Sequence, residues 1–124
     1  MKKIIILLLA LTLASLTYAE TLLNDHLVER NGLFYKKFTN KPYTGKVNGF
    51  MKNGSYKKRS YKNGKKEGVR EMYHENGQLW EKLNYKNGKR HGFYENYDKN
   101  GQLRFTIQYK NGVKIDRSKK FQQE

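Results

Sequence analysis

The sequence predicts an all-β protein, an elongated antiparallel meander of stacked β-hairpin repeats. Three observations carry that reading. Tyr61-Lys62-Asn63-Gly64-Lys65 returns as Tyr85-Lys86-Asn87-Gly88-Lys89 and, with its last residue changed, as Tyr109-Lys110-Asn111-Gly112-Val113, each time 24 residues on. A second Asn-Gly series, Asn53-Gly54, Asn76-Gly77 and Asn100-Gly101, interleaves with the first at spacings of 23 and 24. Between the pairs, side chains alternate with the period of two that a half-buried strand requires, and Asn-Gly accepts the positive φ of a tight hairpin turn. Self-similarity at a short fixed period marks a repeat architecture.

Taken in order, residues 1–19 read as a signal peptide. Met1-Lys2-Lys3 is a positive start, Ile4 to Leu16 is apolar apart from Thr12 and Ser15, and Thr17-Tyr18-Ala19 is a small-residue exit. The apolar run falls short of the ~20 residues that span a bilayer. Cleavage after Ala19 would leave 105 residues with 24 basic and 11 acidic side chains, a net charge of +13. With no cysteine in the chain, neither a disulfide nor a lipoprotein anchor can form. The expected product is exported, periplasmic or secreted, with no transmembrane segment after cleavage.

Residues 20–41 read as an N-terminal hairpin and lead-in. Leu27 and Val28 precede an Asn31-Gly32 turn, Leu33, Phe34 and Tyr35 follow it, and Pro42 should end the piece. Residues 42–116 are the hairpin repeats, opened by Gly45, Gly68 and Gly92, with Phe50, Tyr73 and Tyr97 five residues later. In the second unit Val69, Glu71 and Tyr73 share one face against Arg70 and Met72, and Leu79, Glu81, Leu83 and Tyr85 share one against Trp80, Lys82 and Asn84. In the last unit Leu103, Phe105, Ile107 and Tyr109 oppose Arg104, Thr106 and Gln108. The first unit is weaker: Asn53 to Tyr61 spans eight residues where later units have nine, and Lys57-Lys58-Arg59-Ser60 offers almost nothing to bury. Terminal repeats are often atypical in this way. Gly54, Gly64, Gly77, Gly88, Gly101 and Gly112 are expected as structural turn residues. Residues 117–124 form a basic tail without a strand signal.

The units resemble the bacterial variant of the MORN repeat. The resemblance runs through Gly68, Tyr73, Asn76-Gly77, Leu79 and Tyr85-Lys86-Asn87-Gly88-Lys89, and again through Gly92, Tyr97, Asn100-Gly101, Leu103 and Tyr109-Lys110-Asn111-Gly112. Pro42-Tyr43-Thr44-Gly45 resembles the lead into the same repeat, and the likeness covers about Leu27 to Asp116. It implies a hairpin array that binds membranes, lipids or proteins. Proteins of this kind are also labelled antitoxin-like, whereas the export signal here favours an envelope role.

Chemistry is sparse. His26, His74 and His91 fall at unrelated phases of the repeat, with Asp98 in the place of His74 and Glu67 in that of His91. No two stand at the short spacing of a metal pair. Glu71 and Glu95 are equivalent and could stack on neighbouring hairpins, but a sheet of hairpins offers no evident cleft. They read as surface acids that offset lysines. We therefore expect no catalytic, cofactor-binding or metal residues, and no cofactor.

Charge is uneven. Arg30 to Lys66 holds 12 basic residues and no acid, whereas Glu67 to Asp116 holds nine basic and seven acidic ones. A surface of one sign attracts polyanions, although exposed lysines also keep sheet edges from aggregating. The candidate anionic-surface residues are Lys57, Lys58, Arg59, Lys62, Lys65 and Lys66. The expected partners are a protein or an anionic surface: lipid headgroups, lipopolysaccharide or glycans. Export disfavours nucleic acid, and oligomeric state is left open. The predicted function is an exported, non-enzymatic binding or scaffold module. The alternatives are an antitoxin or immunity-type inhibitor of a protein toxin, and a carbohydrate-active enzyme.

Overall fold

Alternating side chains bounded by Asn-Gly pairs become strands throughout the computed structural model, which describes residues 20–116. The expected signal peptide and basic tail lie outside those residues. β1 (Thr21–Leu23) leads through a single 3-10 turn (Asn24–His26) to a hairpin of β2 (Leu27–Arg30) and β3 (Leu33–Lys36). Three long hairpins follow: β4 (Gly45–Phe50) with β5 (Tyr56–Lys62), β7 (Gly68–Tyr73) with β8 (Leu79–Lys86), and β10 (Gly92–Tyr97) with β11 (Leu103–Lys110). Two-residue strands β6 (Lys65–Lys66) and β9 (Lys89–Arg90) fold back on β5 and β8, and β12 (Val113–Asp116) folds back on β11. The main sheet runs β1-β4-β5-β7-β8-β10-β11-β12, and β2-β3 is separate. The meander has one departure from antiparallel order: β1 lies parallel to β4.

The two Asn-Gly series make two kinds of turn at opposite ends of the strands. In the first series both residues take positive φ, as in Asn87 (50°) and Gly88 (82°), the primed turn that matches strand twist. In the second series only the glycine does. There a carbonyl–amide pair closes a wider loop, His74 N–H donating to Gln78 O (2.9 Å) and Gly77 N–H to His74 O (2.9 Å). The asparagine or aspartate side chain completes it, as where Asn76 Oδ1 accepts the Gln78 N–H (3.0 Å). The sheet therefore has a tight-turn edge and a wide-turn edge.

The residue that the first unit lacks is a β-bulge. β4 and β5 pair without interruption from Gly45↔Tyr61 to Phe50↔Tyr56. In β7–β8 the register shifts, Met72 facing Glu81 but Tyr73 facing Leu79, and Asn96/Tyr97 shifts likewise against Phe105 and Leu103. Trp80 and Arg104 are the extra residues. The single face expected for Leu79, Glu81, Leu83 and Tyr85 is thus interrupted at Trp80, because a bulge re-aims side chains on its strand.

From Leu83 inward the alternation holds. Val47, Tyr61, Leu83 and Tyr85 are buried on one face, while Lys82 and Lys58 are exposed on the other. Each unit sets a tyrosine across from a glycine: Gly45↔Tyr61, Gly68↔Tyr85 and Gly92↔Tyr109. A ring can lie over a neighbour without Cβ, which gives a packing reason for the glycines that open the units. The β2–β3 hairpin closes the first unit. Phe34 packs on Tyr61 (4.8 Å between centroids) within a core of Leu22, Tyr43, Val47 and Tyr61. Here β3 ends at Lys36, ahead of the expected stop, and Pro42 forms an isolated bridge back to Tyr35. At the far end Ile107 is only half-buried.

Candidate anionic-surface interface

A strand with period two cannot place consecutive side chains on one side. Lys57, Lys58 and Arg59 are consecutive in β5, and the structure separates them. Lys57 and Arg59 lie on the core face, with Lys57 opposite Met72, while Lys58 stands opposite Glu71 on the outer face. Strand β5 also holds a central place in the sheet although Lys57-Lys58-Arg59-Ser60 offers almost nothing apolar, because Tyr61 packs in the core and Arg59 finds partners. Arg59 donates to Tyr61 Oη (3.0 Å) and Asn24 Oδ1 (2.7 Å). Arg70, on the same face, pairs with Glu81 at 3.0 Å. Lys57 remains in conflict. Burial first, then the charges of Arg59, Arg70 and Lys66, bring it down to about 8.

The acid-free run from Arg30 to Lys66 is not acid-free in space. Lys36 meets Glu20 at 2.6 Å, and β7 lays Glu71 against Lys58. Across the outer face the register aligns Lys58, Glu71, Lys82 and Glu95 in one row of alternating sign. Glu95 accepts the Tyr97 hydroxyl (2.6 Å), and Glu71 accepts that of Tyr73. These hydrogen bonds to carboxylates, with some burial, push both phenols up to about 12. Glu71 and Glu95 therefore lie in the cross-sheet charge row, as a reading of surface acids among lysines requires.

Lys62 and Lys65 belong to a different arrangement. They face each other across the first tight turn, both exposed, and Lys86 and Lys89 repeat this at the second. At the third, Lys110 faces Val113 and both are again exposed. The turns are held in a column by backbone bonds between units. Gly64 N–H donates to Tyr43 O (2.9 Å), Gly88 N–H to Lys66 O (2.8 Å) and Gly112 N–H to Arg90 O (2.8 Å). A second set reaches the asparagines: Thr44 Oγ1 accepts from Asn63 N–H (2.9 Å), Glu67 from Asn87 (2.7 Å) and His91 Nδ1 from Asn111 (3.5 Å). The odd phase of His91 and Glu67 has this explanation, since both dock the next turn. Five exposed lysines thus line the tight-turn edge across three units. Successive turns lie two strand spacings apart, roughly 10 Å.

Of the six candidate residues, Lys62 and Lys65 lie in this column. Lys57, Arg59 and Lys66 cluster beside Arg70 on the core face, and Lys58 stands apart. Lys66 packs over the Tyr85 ring (5.2 Å), as Arg90 does over Tyr109 (5.3 Å), so its charge also serves packing between units. Lys86, Lys89 and Lys110 lie outside the candidate set because the charge asymmetry points to the first half of the chain. The signal that finds them is the repeat itself, Tyr-Lys-Asn-Gly-Lys. Among the described residues no group of His, Asp and Glu could hold a metal ion, and no helix is long and apolar enough to cross a membrane.

Comparison with known families fits this architecture. Residues 66–87 and 90–111 each match the family model described as the MORN repeat variant. Together they cover the second and third hairpins, and the first hairpin, which lacks the bulge residue, lies outside the matched segments. No curated protein and no solved structure matches the chain.

Proposed function

We propose that this chain, which carries two MORN-variant repeats, is an exported binding module that docks edge-on against an acidic phospholipid surface through its column of tight-turn lysines. MORN repeats generally serve as non-catalytic modules that bind proteins or membranes, which supports a binding module as the class of function. The surface is our own reading, and one observation carries it: Lys62, Lys65, Lys86, Lys89 and Lys110 are exposed along one edge. Like charges facing each other across a hairpin destabilise it, and an anionic surface would relieve that repulsion. Each basic side chain near such a surface contributes on the order of 1 kcal/mol. Export supplies the setting, through the charged start, apolar run and small-residue exit of residues 1–19.

The test is co-sedimentation of the chain from Glu20 onward with vesicles of neutral lipid, with and without an anionic lipid. Binding should require the anionic lipid and weaken as salt shortens the Debye length below its ~8 Å at physiological strength. Changing Lys62, Lys65, Lys86 and Lys89 together to Gln should weaken it by nearly three orders of magnitude, about 4 kcal/mol. Changing Lys52, Lys58, Lys82 and Lys99 removes the same charge away from the column and should cost much less. Equal losses from the two sets would reduce the effect to net charge and overturn the edge.

A further inference from the structure

The opposite, wide-turn edge holds a cleft of about 460 Å³ whose walls include Asn53, His74, Glu75, Asn76, Trp80 and Lys99. We propose that it is a binding cleft for a neutral carbohydrate, with Trp80 as its platform. This inference is independent of the lysine column.

The platform is built by the bulge. As the extra residue of β8, Trp80 stacks on His74 at 5.2 Å between ring centroids and 23° between planes. His74 is fixed in turn, its Nε2 lying 3.1 Å from Tyr97 O of the next unit. In the neutral imidazole a carbonyl partner requires the proton on Nε2 and leaves Nδ1 as an acceptor. The walls are also held. Asn53 Oδ1 accepts both the N–H and the hydroxyl of Ser55 (3.0 and 2.6 Å), so its amide NH2 is the group left to donate. Asn76 is pinned at both ends, accepting from Gln78 N–H and donating to Lys99 O (2.8 Å).

Such a site suits one ligand chemistry better than the others. A pyranose presents an apolar C–H face beside hydroxyls that both donate and accept. It is matched by a flat ring with donors and acceptors of both kinds around it. Here the donors are the Asn53 amide and Lys99, and the acceptors are Glu75 and His74 Nδ1. An anionic headgroup would meet the Glu75 carboxylate, and a wholly apolar ligand would leave these polar groups without partners. Because Glu75 and Lys99 oppose one another in charge, the ligand best matched is neutral.

The aromatic pair is not needed to close the turn. In the last unit Asp98 and Arg104 occupy the places of His74 and Trp80. The same loop closes there with Asp98 Oδ1 accepting from the N–H groups of Asn100 (2.9 Å) and Gln102 (3.0 Å). The first unit has no bulge residue at all. The cleft is therefore a local departure from the repeat.

Trp80 is the sole tryptophan, so its emission reports on this cleft alone. The chain from Glu20 onward should be titrated with chitotriose, cellotriose and maltotriose, by emission and by calorimetry, up to roughly millimolar concentration. At least one sugar should bind saturably and shift the emission. Trp80→Arg installs the residue that the last unit tolerates at this place. It should fold, keep its vesicle binding and lose sugar affinity at least tenfold in calorimetry. No saturable binding of any of the three sugars to the wild type would overturn the proposal. So would sugar binding that survives Trp80→Arg.

Discussion

Lys57 shows how a repeat tolerates a residue at odds with its position. The side chain is half-buried on the core face, and the causes that lower its pKa outweigh the pull of Glu81. Its folded pKa of about 8 lies below the ordinary 10.5, so between those values the unfolded chain binds more protons than the folded one. Stability should therefore rise with pH across that window, and the cost is fully present below it. Lys57→Met should raise the urea midpoint at pH 7 and flatten its rise between pH 8 and 10. An unchanged pH profile would remove Lys57 as the cause. Tyr73 and Tyr97 shift the other way, and absorbance titration should find two phenols ionising near pH 12. The turns offer a second residue-scale test. Ala at Gly88 meets only Lys65 Cβ at 3.8 Å, so its cost is left-handed backbone strain of about 1–2 kcal/mol. Ala at Gly64 would also meet Pro42 Cβ at 3.0 Å and Leu33 Cβ at 3.2 Å, and should cost more in urea unfolding. Asn-Gly made the turns legible in the sequence. The second contact set at Gly64 was not, because it comes from a hairpin distant in sequence.

At the scale of the element, alternation placed Leu83, Tyr85 and Lys82 on their correct faces because one register of a half-buried strand is strongly specified. It failed at Leu79, where a bulge offsets the count by one. The sequence held the clue, eight residues against nine, but spacing alone cannot tell a bulge from a longer loop. Burial divides the second and third hairpins. Leu83 is 1% exposed, with strands packed on both sides of β8, whereas Ile107 sits in the last long strand. Leu83→Ala should cost about 2–5 kcal/mol and Ile107→Ala distinctly less, as read by chemical denaturation. Lys82→Ala should stay within about 0.5 kcal/mol. Equal costs at Leu83 and Ile107 would mean that something covers β11. The weak apolar content of Lys57 to Ser60 did not remove β5 from the sheet, since backbone ladders on both sides, hydrogen bonds donated by Arg59 and the buried Tyr61 compensate.

For the whole molecule, the repeat does two things at once. Backbone bonds from each tight turn to the preceding unit set the stacking, and the same stacking lines up lysines that are 24 residues apart in sequence. Charge along the sequence singles out the acid-free first half and does not reveal this column, because alignment between units is a property of register. The wide-turn edge, with Trp80, lies at the other end of the strands. Edge-on docking therefore has a directional consequence that net charge alone lacks. The chain has no cysteine, so a single one can carry a spin label at a chosen edge. Val113, beside the third tight turn, and Asn100, at the third wide turn, are both exposed. On acidic vesicles a label at Val113→Cys should become shielded from a water-soluble relaxation agent, and one at Asn100→Cys should not. Equal shielding at both sites, or shielding at Asn100 alone, would contradict docking through the tight-turn lysines.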